Sequence, residues 1–293
     1  MKNFEYFKPT SIKEAVEIKS KYGDKGRFLL GGTDLVIAMD AGAITPDAVI
    51  DLKGIKELEK LEKTSDSLYI GANVPFAKLI ASEFVKKEFP ALWEASRLVA
   101  SISVRNRATV AGNICNAVPS AESSSPLMAR DAVVLVEGME GSREISISDF
   151  FVGPRKTALK VDEVVVAVKV PLIGKKFGEC YVKLGRYEGE DLAQVGVTTF
   201  VDEDKNYNIS FAAVGPTPVR AKEAEEFLKG KELNDEILEE AKKLALKSIS
   251  PISDIRASRE YRYHMAGVML TRALKASVSR MNNGTPEYGT KLI

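Results

Sequence analysis

The sequence predicts an α+β protein built as two domains. Three observations carry this. The first fifty residues alternate short apolar strands with amphipathic helices, a compact β-α-β-α-β unit. After about residue 175, strands follow one another and helices come last, the order of an α+β domain. The 293 residues are 45% hydrophobic, enough for a sizeable buried core. The first domain is expected over 1–174, with subdomains of about 1–53 and 54–174, and the second over 175–280. Residues 281–293 have little to bury and read as a mobile tail.

The elements follow in order. "FEYFKPTSIKEAVEIKSKYG" reads as a strand and then a helix. Thr10 or Ser11 caps it, Ile12, Ala15, Val16 and the stem of Lys19 form its apolar stripe, and Gly23 ends it. Residues 27–30 read as a short buried strand, followed by a tight turn and a second helix; "DAVIDL" is a third strand. "SLYIGANVPFAKLI" repeats the strand-turn-helix pattern, with Asn73 a capping candidate and Pro75 suited to a first helical turn. "FPALWEASRLVAS" is a helix carrying Trp93, the single tryptophan. The stretch 107–126, "RATVAGNICNAVPSAESSSP", is small, polar and turn-rich, and reads as a long loop that builds no core. "DAVVLVEG", "REISISDF" and "DEVVVAVKVPL" are strands, the last ending at Pro171. Strands at 179–184, 193–201 and 207–214 come next. Two helices, "AKEAEEFLKG" and "NDEILEEAKKLALKSI", precede a final helix over 259–278.

Composition excludes several functions. Lysine plus arginine (42) nearly equals aspartate plus glutamate (41), which argues against a nucleic-acid binder. No apolar run approaches the roughly 18 residues of a membrane span. Glu5, Lys8 and Pro9 interrupt any signal-peptide-like apolar region. Two cysteines, Cys115 and Cys180, cannot supply a four-cysteine iron–sulfur or zinc site, and they suit a reducing, cytoplasmic setting. The single histidine, His264, excludes a metal triad of histidines and an HExxH site, and its surroundings have helical spacing. No two glycines stand two residues apart, so there is no GxGxxG, and no GxxxxGK[ST] exists either. A nucleotide, if held, is held another way.

Two short segments offer that way. One is "LLGGTDL", with Leu30, Gly31, Gly32, Thr33 and Asp34; the other is "TVAGNI", Thr109 to Ile114. Small side chains let backbone N–H groups reach an anion with no Cβ between them. Asp34 is placed to cap the helix that follows, while neighbouring amides face a ligand. Either segment alone reads at least as well as a sharp turn that needs glycine. Both in one domain favour a site for a pyrophosphate.

These segments carry a resemblance. "LLGGTDL" and "TVAGNICNAVPSAESSSPLMARDAVVLV" resemble the FAD-binding subunit of the molybdenum hydroxylases, the xanthine dehydrogenase and carbon monoxide dehydrogenase family. The likeness extends through "FEYFKPTSIKEAVE", "DEVVVAVKVPL", "YVKLGRYEGEDLAQVGV", "AVGPTPVRAKEAE" and "YRYHMAGVMLTRAL". It implies a p-cresol methylhydroxylase-type FAD-binding domain of two α+β subdomains. A C-terminal α+β domain like that of the carbon monoxide dehydrogenase flavoprotein follows. It implies that the diphosphate of FAD lies on Phe28, Leu29, Leu30, Gly31, Gly32, Thr33, Asp34 and Leu35, and on Thr109, Val110, Ala111, Gly112 and Asn113. Glu122 matches an acid at the ribityl or ribose hydroxyls, and Val165 and Lys183 match two further cofactor contacts. Read alone, Lys183 is more simply a surface lysine. Ala111, Glu122 and Tyr187 depart from the residues frequent in the family, which bears on the flavin's surroundings.

The function implied is electron transfer. A molybdopterin-binding large subunit hydroxylates the substrate, and an iron–sulfur small subunit delivers electrons to FAD here. They pass on to NAD, ferredoxin, a quinone or oxygen. The assembly implied is a heterotrimer or a dimer of heterotrimers, without nucleic acid or membrane. The alternative is a free-standing FAD oxidoreductase acting directly on a small substrate, for which the sequence names no convincing base or nucleophile. A third is a scaffold that keeps the fold without cofactor. The absence of iron–sulfur cysteines fits the first, and no catalytic or metal-ligating residue is assigned to this chain.

Overall fold

The computed structural model describes residues 1–187 and 190–293, so Glu188 and Gly189 of the "YVKLGRYEGEDLAQVGV" motif lie outside it. The N-terminal unit is a three-stranded parallel sheet in the order Glu5–Phe7, Ala48–Asp51, Gly26–Leu29. Its middle strand is buried along its whole length, as a parallel strand with covered faces must be. Helix Ile12–Tyr22 packs on it through Ile12, Ala15 and Val16. Its start is a reciprocal cap: the Ser11 hydroxyl accepts from the Glu14 amide, and the Glu14 carboxylate accepts from the Thr10 amide.

The second unit is a five-stranded antiparallel sheet in the order Leu61–Lys63, Ser67–Gly71, Val164–Pro171, Val133–Gly138, Gly141–Ser146. The strand latest in sequence, Val164–Pro171, takes the central place, and its β-branched run is the most apolar of the five. The expected strand "REISISDF" ends early. The Ser146 hydroxyl accepts from the Ser148 amide and turns residues Ile147–Phe150 into one helical turn.

The stretch 107–126 is the main correction. It folds as helix Val110–Asn116 and leads into helix Ser124–Ala129. Val110, Ala111, Ile114 and Ala117 all lie in the hydrophobic core. Small residues gave little amphipathic contrast, yet Val110 and Ile114 stand one helical turn apart and bury the same face.

The second domain is a four-stranded antiparallel sheet, Phe177–Leu184, Val195–Asp202, Tyr207–Ala212 and Val219–Arg220, with helices Lys222–Leu228, Asp235–Leu246 and Arg259–Met281. Strand Val195–Asp202 is buried at every position. Neighbouring side chains show why. The Thr199 hydroxyl meets Ser277 of the final helix at 2.6 Å, and the Thr198 hydroxyl meets Ser125 of the first domain at 2.9 Å. Alternate residues face opposite ways, so one face carries the second domain's own helix and the other face carries the first domain. His264 lies exposed on the final helix.

The tail differs from expectation. Arg280 donates to the carbonyls of Pro286 (2.9 Å) and Glu287 (3.0 Å), and the Gly289 amide donates to Glu94 (2.7 Å). Tyr288 packs on the first domain's core, and Leu292 and Ile293 pack on the second's. Side chains waiting on both domains hold a segment whose own composition predicts none of this. No helix among the described residues is long and apolar enough to cross a membrane.

Candidate functional site

The turn Leu30–Asp34 leaves strand Gly26–Leu29 and enters helix Leu35–Asp40. At Gly31 it touches a second segment backbone to backbone. A Cβ there would stand 2.2 Å from the carbonyl oxygen of Arg107 and 2.9 Å from the Cα of Ala108, so only glycine fits. Gly32 follows with φ +76°, a conformation that favours glycine as well. The Ala108 carbonyl also accepts from the Phe76 amide (2.9 Å), and Thr109 bridges to Pro75. Three segments therefore meet, 30–34, 73–76 and 107–113.

Their donors suit an anion. Thr109 caps helix Val110–Asn116, its hydroxyl accepting from the Gly112 amide at 3.0 Å. The Ala111 amide in that first turn has no acceptor among the described residues, nor have those of Gly31, Gly32 and Thr33; the Val110 amide faces the Val74 carbonyl in the bridge to Pro75. Asp34 does not cap its helix as expected. Its own backbone is already near-helical (φ −106°, ψ −45°), which keeps the exposed carboxylate away from the first-turn amides.

Asn113 continues the site. Its side-chain oxygen accepts from the Ser123 hydroxyl at 2.6 Å and the Ser123 amide at 3.3 Å. Next to it, Glu122 is paired with Lys183 at 2.8 Å, and Lys183 also donates to the Leu98 carbonyl at 2.9 Å. Both side chains are buried, 8% and 6% exposed, so Lys183 is not the surface lysine its context suggests. Lys183 comes from the second domain and Glu122 and Leu98 from the first. The structure thus joins Leu30–Asp34 to Thr109–Asn113, and Asn113 through Ser123 to the Glu122–Lys183 pair. Phe28 and Leu29 lie on the strand that leads into the turn. Val165 stands apart, its side chain in the first domain's core on the strand that helix Val110–Asn116 packs against.

Three residues take roles that escape sequence reasoning. Lys53 donates to the Leu30 carbonyl at 3.3 Å and pairs with Asp51 at 2.8 Å, bracing the back of the glycine turn. Asn73 caps nothing: its amide nitrogen donates to the Leu52 carbonyl, and its buried side-chain oxygen has no partner among the described residues. Tyr181 stands two residues before Lys183 on the same face of its strand, with a buried hydroxyl that also lacks a partner among the described residues. Burial first, and then the Glu122 carboxylate, push that phenol well above its ordinary value. Tyr181 and Lys183 line a cavity of about 420 Å³ between the domains, together with Leu98, Arg186 and Tyr187. Cys115 is inert by contrast, since burial pushes its thiol up to about 12. The orphaned oxygens, the free amides and the glycine contact fit a polar ligand with an anionic centre, as FAD is.

Comparison with known proteins gives the same answer. The family described as the FAD binding domain in molybdopterin dehydrogenase matches residues 2–173, and the CO dehydrogenase flavoprotein C-terminal domain matches 179–277. The carbon monoxide dehydrogenase medium chain of Hydrogenophaga pseudoflava is 32% identical over 281 residues, 94% of this chain and 98% of the relative. The xanthine dehydrogenase FAD-binding subunit of Escherichia coli O157:H7 is 29% identical over 280 residues, 94% of this chain and 96% of the relative. A solved carbon monoxide dehydrogenase from Hydrogenophaga pseudoflava, lacking the Mo-pyranopterin moiety, superposes with a TM-score of 0.92 at 33% identity, over 95% of this chain and 98% of that one. The chain therefore belongs to the FAD-binding medium subunits of the molybdenum hydroxylases, an oxidoreductase family, and FAD is its cofactor.

Proposed function

We propose that this chain relays electrons within a three-subunit molybdenum hydroxylase, from the iron–sulfur clusters of a small subunit to an acceptor such as NAD, ferredoxin, a quinone or oxygen. A molybdopterin-binding large subunit completes the assembly. The observation that carries the reading is the backbone contact of Gly31 with Arg107 and Ala108, which sets two turns with free amides side by side. In this reading the amides of Gly31, Gly32, Thr33 and Ala111 hold the diphosphate of FAD, each bond to a charged group contributing about 1.5–3 kcal/mol, while Val110 fixes the second turn against residues 74–75. Phe28, Leu29, Leu30, Asp34 and Leu35 carry the first turn, and Thr109, Gly112 and Asn113 shape the second. Glu122 and Lys183 approach the nucleotide's hydroxyls and the flavin end, and Val165 backs the second turn through the core. Bound FAD supplies a carrier that accepts electrons singly and releases them in pairs. The chain orients that carrier, and Lys183 favours negative charge at its reduced end.

The test is FAD titration of the purified chain and of Gly31→Ala. The wild-type chain should take up one FAD, and the variant should bind at least about tenfold more weakly, because one Cβ forces the two turns apart. Equal affinity would overturn the assignment of the turns. Copurification with a molybdopterin subunit and a two-cluster iron–sulfur subunit is expected. Substrate-dependent bleaching of the isolated chain would overturn the relay.

A further inference from the structure

The segment after the final helix lies beyond the second family domain, which ends at residue 277. It turns back across the domain junction. Its backbone is held by Arg280 at Pro286 and Glu287, by Glu94 at Gly289, and by Arg272 at Leu292. Each hold is a side chain from a rigid element on a strap backbone group, and the segment joins no sheet and no helix. Tyr288 lies 4.5 Å from the Arg280 guanidinium. Gly289 is the seat. Its φ is +86°, and a Cβ there would meet a terminal nitrogen of Arg97 at 2.2 Å and the Trp93 ring at 3.1 Å. Residues 289–293 then form one wall of the 420 Å³ cavity that Tyr181 and Lys183 also line.

We propose that residues 286–293 are a strap that closes the Lys183 end of the cofactor site and sets how fast solutes and cofactor pass in and out. The cofactor half of this inference rests on the FAD reading; the closure of Lys183 does not. Seated, the strap touches the cores of both domains and walls the cavity on that side. Released, it frees the cavity without unfolding either domain, because its contacts are additions to pairs that persist without it. Glu94 keeps its ion pair with Arg280 and its bond from the Tyr181 amide when Gly289 leaves.

Two variants unseat the strap by different means, Gly289→Val and deletion of residues 286–293. Stronger acrylamide quenching of Trp93, the one tryptophan, reports that the seat is empty. Without cofactor, acetylation of Lys183 by an N-hydroxysuccinimide ester is followed by mass spectrometry against the exposed Lys2. With cofactor, FAD release from the loaded chain is followed by the return of flavin fluorescence. Both rates should rise about tenfold in both variants, the size expected when one or two hydrogen bonds of a closed state are lost. Wild-type rates of Lys183 acetylation in the variants would overturn the strap. Faster acetylation with unchanged FAD release would overturn its role toward the cofactor. A wild-type chain that takes up no FAD would sink the FAD reading instead, and the acetylation rates would still decide the strap.

Discussion

Lys183 is the residue whose meaning changes most between sequence and structure. On a strand of alternating residues, a lysine reads as solvent-facing, and it would be so if the second domain stood alone. The first domain covers that face, and Lys183 crosses to Glu122, 61 positions earlier in the chain. Two buried charges at 2.8 Å satisfy each other, but removing one leaves the other without a counterion. Lys183→Met should therefore destabilise the chain by about 3–5 kcal/mol, measured by urea unfolding. The double variant Lys183→Met with Glu122→Gln should lose less than Lys183→Met alone, because no unpaired charge is left. A double variant as unstable as the sum of both singles would refute the coupling.

Elements carry the site in two ways. Helix Val110–Asn116 owes its start to Thr109, whose hydroxyl holds the Gly112 amide in the turn that meets Gly31. Thr109→Ala should cost about 1 kcal/mol and weaken FAD binding, while Thr109→Ser restores both; equal FAD affinity of all three would separate the cap from the site. The final helix is tied through Arg262, which donates to Asp254 at 2.8 Å. Burial would raise the Asp254 carboxyl, but the amides of Arg256 and Ala257 and the Arg262 guanidinium outweigh it and hold the carboxyl down at about 2. A depressed acid stabilises the fold above its ordinary value of 3.8, and that contribution fades as pH falls toward about 2. Asp254→Asn should flatten stability against pH in that window alone. Much of this architecture was legible. The run Val164–Pro171 announces a strand by its β-branched residues, and the final helix announces itself by spacing. The glycine turns are local and could be read directly. Strand Leu61–Lys63 and helix Glu83–Glu88 could not, being three and six residues long and set by their neighbours. Pairs such as Lys183 with Glu122 depend on which domain covers which sheet face, and no local pattern encodes that.

At the scale of the whole molecule, the two domains are locked by exchanged charges. The first domain gives Glu94 and Arg130, the second gives Arg280 and Glu179, and each acid pairs with the other domain's base. Arg130 also donates to the carbonyl of Glu88 at 2.8 Å, and its guanidinium lies 4.5–5.3 Å from the rings of Phe177, Phe89 and Phe200. Glu179 accepts in turn from the Ala91 amide. Such a cluster is costly to desolvate, so its value lies in geometry: only one arrangement of the domains satisfies every group. That arrangement is also the one that brings Lys183 to Glu122. Arg130→Met keeps the apolar stacking and removes the cation, leaving the Glu179 carboxylate buried with one amide. It should cost about 3–5 kcal/mol, whereas Lys169→Met, which breaks an exposed pair with Glu144, should cost less than about 1 kcal/mol. Restoring neutrality with Glu179→Gln should recover part of the loss but not the fixed docking, so FAD affinity should stay below wild type in the double variant. If Arg130→Met proved as mild as Lys169→Met, the charges would be bystanders, and the domains would be held by apolar contact alone.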